Sequence, residues 1–97
     1  MISPHRSRAH LTFVRELRCA FCIEQPAAEA HHAFRRAGGG GMGIKGCDLL
    51  TVPLCLMHHR ELHKTGVIAP HDRAQTESLL WRAVAMTLRQ RLLGETP

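Results

Sequence analysis

The chain has 97 residues, a net charge of +5 with histidine neutral, and a pI near 9.7, with four cysteines and eight histidines. That length makes one small domain with a thin core, of a size that a metal ion or disulfides often support. The start, Met1-Ile2-Ser3-Pro4-His5-Arg6, lacks the apolar segment of a secretory signal and no apolar run is long enough to span a membrane, so a cytoplasmic protein without membrane attachment is expected.

The cysteines stand beside histidines, which favours metal binding over disulfides. The basic balance suits a polyanionic partner, most simply DNA. Tyrosine is absent and there is a single tryptophan, which argues against a platform that stacks single-stranded bases.

Residues 1–8 are basic and contain Pro4. From Arg8 to Leu17, the residues Leu11, Val14 and Leu17 fall at helical spacing beside Phe13, predicting a short helix or an extended lead-in that packs on the core. Cys19-Ala20-Phe21-Cys22 follows. Cys-x2-Cys in a tight turn presents two thiolates to one tetrahedral ion. After Pro26, the segment from Ala28 to Phe34 alternates small and polar residues and permits a strand. On a regular strand His31 and His32 point to opposite faces; on a distorted or bulged one both can approach one site.

Residues 35–46 read as a flexible basic loop whose glycines would allow close backbone approach to a ligand. They do not match the Walker pattern. Either Arg35, Arg36 and Lys45 touch phosphates or the segment is a plain solvent loop. Cys47 has no close-spaced partner and reads as a small buried residue, with replacement of another ligand as the alternative. Asp48 to Leu54 is apolar and partly β-branched, a second short strand or extended segment ended by Pro53 before the next helix.

Leu54 to His63 puts one thiol and three imidazoles into ten residues. Read as a helix, Cys55 and His58 have the spacing of a Cys-x2-His half-site. His59 and His63, four apart, project from one face. The pairs point in different directions, which predicts two metal sites sharing one helix. Gly66 suits the helix end. Pro70 and Asp72 can start a last helix over about 71–93, ending at Gly94. In it Leu80, Val84, Leu88 and Leu92 recur every four residues, with Trp81 and Ala83 nearby, as in an amphipathic core-packing helix. Its arginines Arg82, Arg89 and Arg91 either add to a DNA face or are solvated, and a homodimer seam is possible there.

Joined to Cys55 and His58, Cys19 and Cys22 complete a Cys3His set with the ligand count of structural zinc. The remaining histidines suit hydrolysis. His31, His59 and His63 can hold a second divalent ion (Mg, Mn, Ni or Zn), leaving His32 as the base that takes a proton from water. An ordinary imidazole, with a pKa of about 6.5, fits that task at neutral pH.

With these residues in place the chain resembles the HNH, or ββα-metal (His-Me finger), nuclease superfamily. It is most similar there to small phage and prophage proteins related to the recombinase-dependent phage nuclease. The likeness runs over about residues 8–66. It rests on His10-Leu11-Thr12-Phe13-Val14-Arg15, Cys19 to Cys22, His31-His32, Gly43 with Lys45, Asp48, and Val52-Pro53-Leu54-Cys55 through His63. The resemblance implies an α+β fold: a zinc-stabilised ββα-metal finger with an N-terminal helix or lead-in and a C-terminal amphipathic helix, in a single domain 1–97. It also implies a DNA endonuclease or nickase.

In that family the second histidine of the pair is the base, which corresponds to His32, and the first joins the metal site, which corresponds to His31. The helical pair supplies further ligands at His59 and His63. The structural zinc corresponds to Cys19, Cys22, Cys55 and His58. The family's central asparagine, which orients the base, is replaced by Asp48, which can accept the same hydrogen bond. Arg60 and Lys64 join Arg35, Arg36 and Lys45 as expected nucleic-acid contacts, and a recombinase or other phage protein is the expected further partner. The competing readings are a non-catalytic zinc-stabilised nucleic-acid-binding module and an accessory subunit. The first gives no reason for His31, His32, His59 and His63; the second keeps the nuclease site but under a partner's control.

Overall fold

A computed structural model describes residues 5–34, 39–40 and 46–94. In chain order it contains α1 (Arg8–Arg15), β1 (Glu29–His32), β2 (Thr51–Leu54), α2 (Leu56–Thr65) and α3 (Arg73–Leu93). This is a small α+β arrangement around a two-stranded antiparallel sheet. Arg35, Arg36, Gly43 and Lys45 lie outside the described residues.

The strands pair in the register Glu29↔Leu54, Ala30↔Pro53, His31↔Val52 and His32↔Thr51. Pro53 therefore lies inside β2 and does not end it, contrary to the sequence expectation. The reason is its position. The Ala33 N–H bonds the Leu50 carbonyl, so residues opposite each other alternate from there and Pro53 falls at a pair that exchanges no hydrogen bond. Its missing N–H costs the ladder nothing. Its carbonyl faces outward and accepts from the Ala20 N–H at 2.9 Å. That bond ties the Cys19–Cys22 turn to the sheet.

All four residues of β2 are buried, because α1 and α3 pack on it as well as α2. Val14, Val52, Leu54, Leu62, Ile68, Leu80 and Val84 make up most of the buried apolar interior. Helix α1 is capped by Ser7, whose hydroxyl accepts the His10 N–H. Helix α2 starts only at Leu56, with Cys55 as its N-cap. The Cys55 side chain makes no capping bond there. Gly66 closes α2 in the left-handed conformation (φ 78°), where a side chain is disfavoured.

Helix α3 opens with a reciprocal capping box. The Asp72 carboxylate accepts the Gln75 N–H at 2.8 Å, and the Gln75 side-chain oxygen accepts the Asp72 N–H at 2.9 Å. Asp72→Ala is expected to cost about 1 kcal/mol, a melting-temperature drop of roughly 4–8 °C for a chain of this size, readable by thermal denaturation. The four-residue stripe on α3 holds only in part. Leu80 and Val84 are buried and Leu88 packs at the core edge, but Leu92 is 69% exposed. A repeat of four on a helix of about 3.6 residues per turn drifts by about 40° per step, which carries the fourth residue off the buried face. Among the described residues no helix is long and apolar enough to cross a membrane.

Candidate metal centres

Two groups of side chains converge as possible metal sites: Cys19, Cys22, Cys55 and His58 in one, His31, His59 and His63 in the other. In each, the ligand atoms lie within 4.8 Å of one another. Both draw on α2, the first also on its N-cap Cys55.

The first group is built by a hairpin-like turn. The Leu17 carbonyl accepts the Ala27 N–H, the Cys19 N–H donates to the Gln25 carbonyl, and the Ile23 N–H returns to the Cys19 carbonyl. Ile23 has φ 60°, an unfavourable left-handed conformation for a β-branched residue, so the turn is held by its bonds against local preference. The cysteines are unbridged.

The Cys22 and Cys55 sulfurs are 3.9 Å apart, and His58 Nδ1 lies 3.4 Å from Cys19 Sγ and 3.2 Å from Cys55 Sγ. With metal–sulfur distances of about 2.3 Å and metal–nitrogen distances of about 2.0–2.1 Å, a tetrahedron has edges of roughly 3.8 Å (S–S) and roughly 3.5 Å (S–N). The observed spacings match these edges. The set can hold a metal ion such as zinc.

The electrostatics agree. Burial alone would raise the Cys19 thiol, but backbone N–H groups at Cys55, Phe21 and Cys22 and the His58 ring outweigh it and lower Cys19 to about 6. Cys22 moves the other way, raised by burial and by its sulfur neighbours despite the Gln25 N–H. Crowded sulfurs resist a second negative charge, and a divalent cation removes that resistance. Cys47 lies outside both groups and is partly exposed, not buried as expected.

In the second group, β1 supplies His31 and one face of α2 supplies His59 and His63. The His59 and His63 Nε2 atoms are 3.0 Å apart. The His31 ring centroid lies 5.3 Å and 5.4 Å from those of His59 and His63, edge-on to both. Two nitrogens about 2.0–2.1 Å from one ion sit roughly 2.9 Å apart across a right angle and roughly 3.4 Å apart in a tetrahedron, so this spacing also fits a shared ion. Burial lowers His31 to about 4, with further push from His59, His63 and His32. Burial and the neighbouring His63 lower His59 as well, against a small opposing pull from Glu29. Both shifts favour the neutral ring, the form a metal requires.

His32 does not join that group. Strand alternation sends it elsewhere, and its Nε2 lies 2.7 Å from Asp48 Oδ1. Asp48 is buried at the N-terminus of α1. Its Oδ2 accepts the Ser7 N–H at 2.7 Å, and Arg6 lies 3.3 Å from Oδ1. Burial pulls the Asp48 carboxyl upward. The hydrogen bonds from His32 and Ser7 and the charges of His32 and Arg6 overcome it and hold the group below its ordinary value. An ionised carboxylate only accepts, so His32 Nε2 donates, and in the neutral ring the lone pair then falls on Nδ1.

Sequence reasoning missed the Arg6–Ser7 cradle around Asp48, which depends on contacts 41 and 42 residues apart. It also missed that His10 is fully buried, with Nδ1 3.3 Å from Arg91 and Nε2 unpartnered among the described residues. The capping serine two residues before Ala9-His10 was the available signal for the first. Arg60 and Lys64 lie exposed on α2.

A model of the family described as protein of unknown function, DUF968, matches residues 2–83, which include every residue of both groups. The uncharacterized protein YdfU of Escherichia coli (strain K12) is 39% identical over 77 residues, covering 78% of this chain and 21% of YdfU. The chain thus spans about a fifth of the length of the curated relative it matches. No solved structure matches it.

Proposed function

The chain belongs to the DUF968 family of proteins of unknown function, and from that premise we propose that it is a metal-dependent DNA endonuclease or nickase of the HNH, ββα-metal type. One observation carries the reading: a three-imidazole cluster and, on the next residue of the same strand, a separate imidazole already oriented by a buried carboxylate. Folding needs only the Cys3His set. The other four histidines, three gathered in one cluster and the fourth on Asp48, are groups that a purely structural domain has no use for.

His31, His59 and His63 would hold a divalent ion, which supplies positive charge for the scissile phosphate and the leaving 3′ oxygen. His32 Nδ1 takes the proton of the attacking water. Asp48 fixes the ring through Nε2 and stabilises the imidazolium that results. The Ser7 N–H and Arg6 keep Asp48 ionised for that role. Arg60 and Lys64, with Arg35, Arg36 and Lys45 in the glycine-rich segment, contact backbone phosphates. A cytoplasmic, phage- or prophage-associated role with a recombinase as partner belongs to the same reading.

The alternative is a zinc-stabilised module or accessory subunit that grips nucleic acid without cutting. Cleavage of supercoiled, linear, branched and single-stranded DNA, with Mg, Mn, Ni or Zn supplied in turn and metal content measured alongside, separates the two. Nicking that requires an added divalent ion is the expected result. Binding without cleavage in every metal would leave the module.

A further inference from the structure

His10 is fully buried on α1 and belongs to neither candidate metal group. Its Nδ1 lies 3.3 Å from a guanidinium nitrogen of Arg91 on α3. A guanidinium only donates, so Nδ1 accepts and the neutral ring carries its proton on Nε2. That second N–H is buried and, among the described residues, meets no acceptor. One ring nitrogen thus faces a cation, and the other has nowhere to give its proton.

The surroundings decide which charge state fits. Helix α3 contributes Arg91. Helix α1 itself contributes the uncharged Phe13 ring, stacked at 6.4 Å, while its Arg8 and Arg15 are exposed. Strand β2 has no titratable residue. On β1, Glu29 is exposed, His31 faces α2 and His32 is turned to Asp48. Asp48, ahead of β2, is the acidic group that acts on His10, but its oxygens are already engaged by His32, Ser7 and Arg6. Burial and the Arg91 charge push His10 below its ordinary value, against an upward pull from Asp48. A proton arriving from solvent has to settle on Nδ1. It replaces the acceptor with a second donor and sets two cations face to face away from water.

Little else holds the end of α3. Beyond Thr87 none of its described residues is buried; Leu88 packs at the core edge, and Leu92 and Leu93 are exposed. Helix ends with so few buried contacts open locally at low free energy. We propose that the His10–Arg91 contact is an acid-released latch: with His10 neutral it fastens the end of α3, beyond Thr87, to α1, and protonation of His10 Nδ1 frees that end while the sheet stays in place. The latch is full above about pH 6.5, the ordinary value of an imidazole. Below it the opened chain binds one proton more than the closed one, so the opening constant rises by up to about tenfold per pH unit. The latch works in the same way whether or not the chain cuts DNA.

The test is amide hydrogen exchange, read residue by residue by NMR on the zinc-loaded full chain between pH 8 and about 5.5 and corrected for the intrinsic pH dependence of exchange. Below about pH 6.5, wild type should lose protection at residues 88–93 by up to about tenfold per pH unit, with far smaller changes at Leu80 and Val84. His10→Gln is neutral at every pH and should show no such loss. It keeps His31, His59 and His63, so their titration is common to both proteins. Arg91→Gln removes the facing cation and should reduce the loss to about threefold or less per pH unit, which decides the matter if His10→Gln does not fold. Ring nitrogen shifts at pH 8 should place the His10 proton on Nε2. A proton on Nδ1 at that pH would overturn the latch. So would protection at residues 88–93 that holds to the acid end, a loss spread evenly to Leu80 and Val84, or a loss as steep in either variant as in wild type.

Discussion

Cleavage by the His32→Ala protein is expected to fall by about 10²- to 10⁴-fold, the usual contribution of a positioned general base. The metal content and the melting temperature should change little. Asp48, the buried group most exposed to the loss, keeps the Ser7 N–H and Arg6 as partners. It is not left as an unpaired buried charge, which would threaten the fold. Asp48→Asn retains an acceptor but removes the charge, so its rate should fall between wild type and His32→Ala. Nicking of supercoiled plasmid, followed at saturating metal, measures all three. Equal rates for wild type and His32→Ala would remove His32 from the chemistry.

The second large effect is on folding. Cys19→Ser is expected to lose the structural ion and most of the ordered structure. Structural zinc contributes apparent binding free energies of about 10–16 kcal/mol in small finger domains, while whole domains are stable by about 5–15 kcal/mol. A 97-residue chain whose Cys19 turn is bonded to β2 through Ala20 and Pro53 has little left to stand on without that ion. Metal analysis of the purified protein and far-ultraviolet circular dichroism read the two losses together. A zinc-free Cys19→Ser protein that melts cooperatively at the wild-type temperature would contradict the coupling.

The candidate metal ligands were legible because ligand chemistry imposes spacing. Cys-x2-Cys, Cys-x2-His and His-x3-His each place their side chains through one local turn, so no tertiary information is needed. The strand rule also applied: adjacent His31 and His32 separate, one to the histidine cluster and one to Asp48. What lay beyond reach were the contacts made across the chain. The Asp48 cradle comes from the N-cap turn of α1, and the packing of His10 against Arg91 joins residues 81 apart. Pro53 misled because a proline's cost depends on which side of the ladder its nitrogen faces, and that is set by pairing register. Leu92 misled because a repeat of four tracks a helical face only over a short run.

Cys55 and His58 belong to one candidate metal group and His59 and His63 to the other, with no spacer between the two pairs. The stretch from Cys55 to His63 is therefore closed to insertions and deletions. One extra residue between His58 and His59 would swing the second pair about 100° around the axis, past any reach of His31. Natural variation in chain length among relatives should accumulate in the connections before β2 and after Gly66, and this nine-residue stretch should keep its length even where its other side chains change.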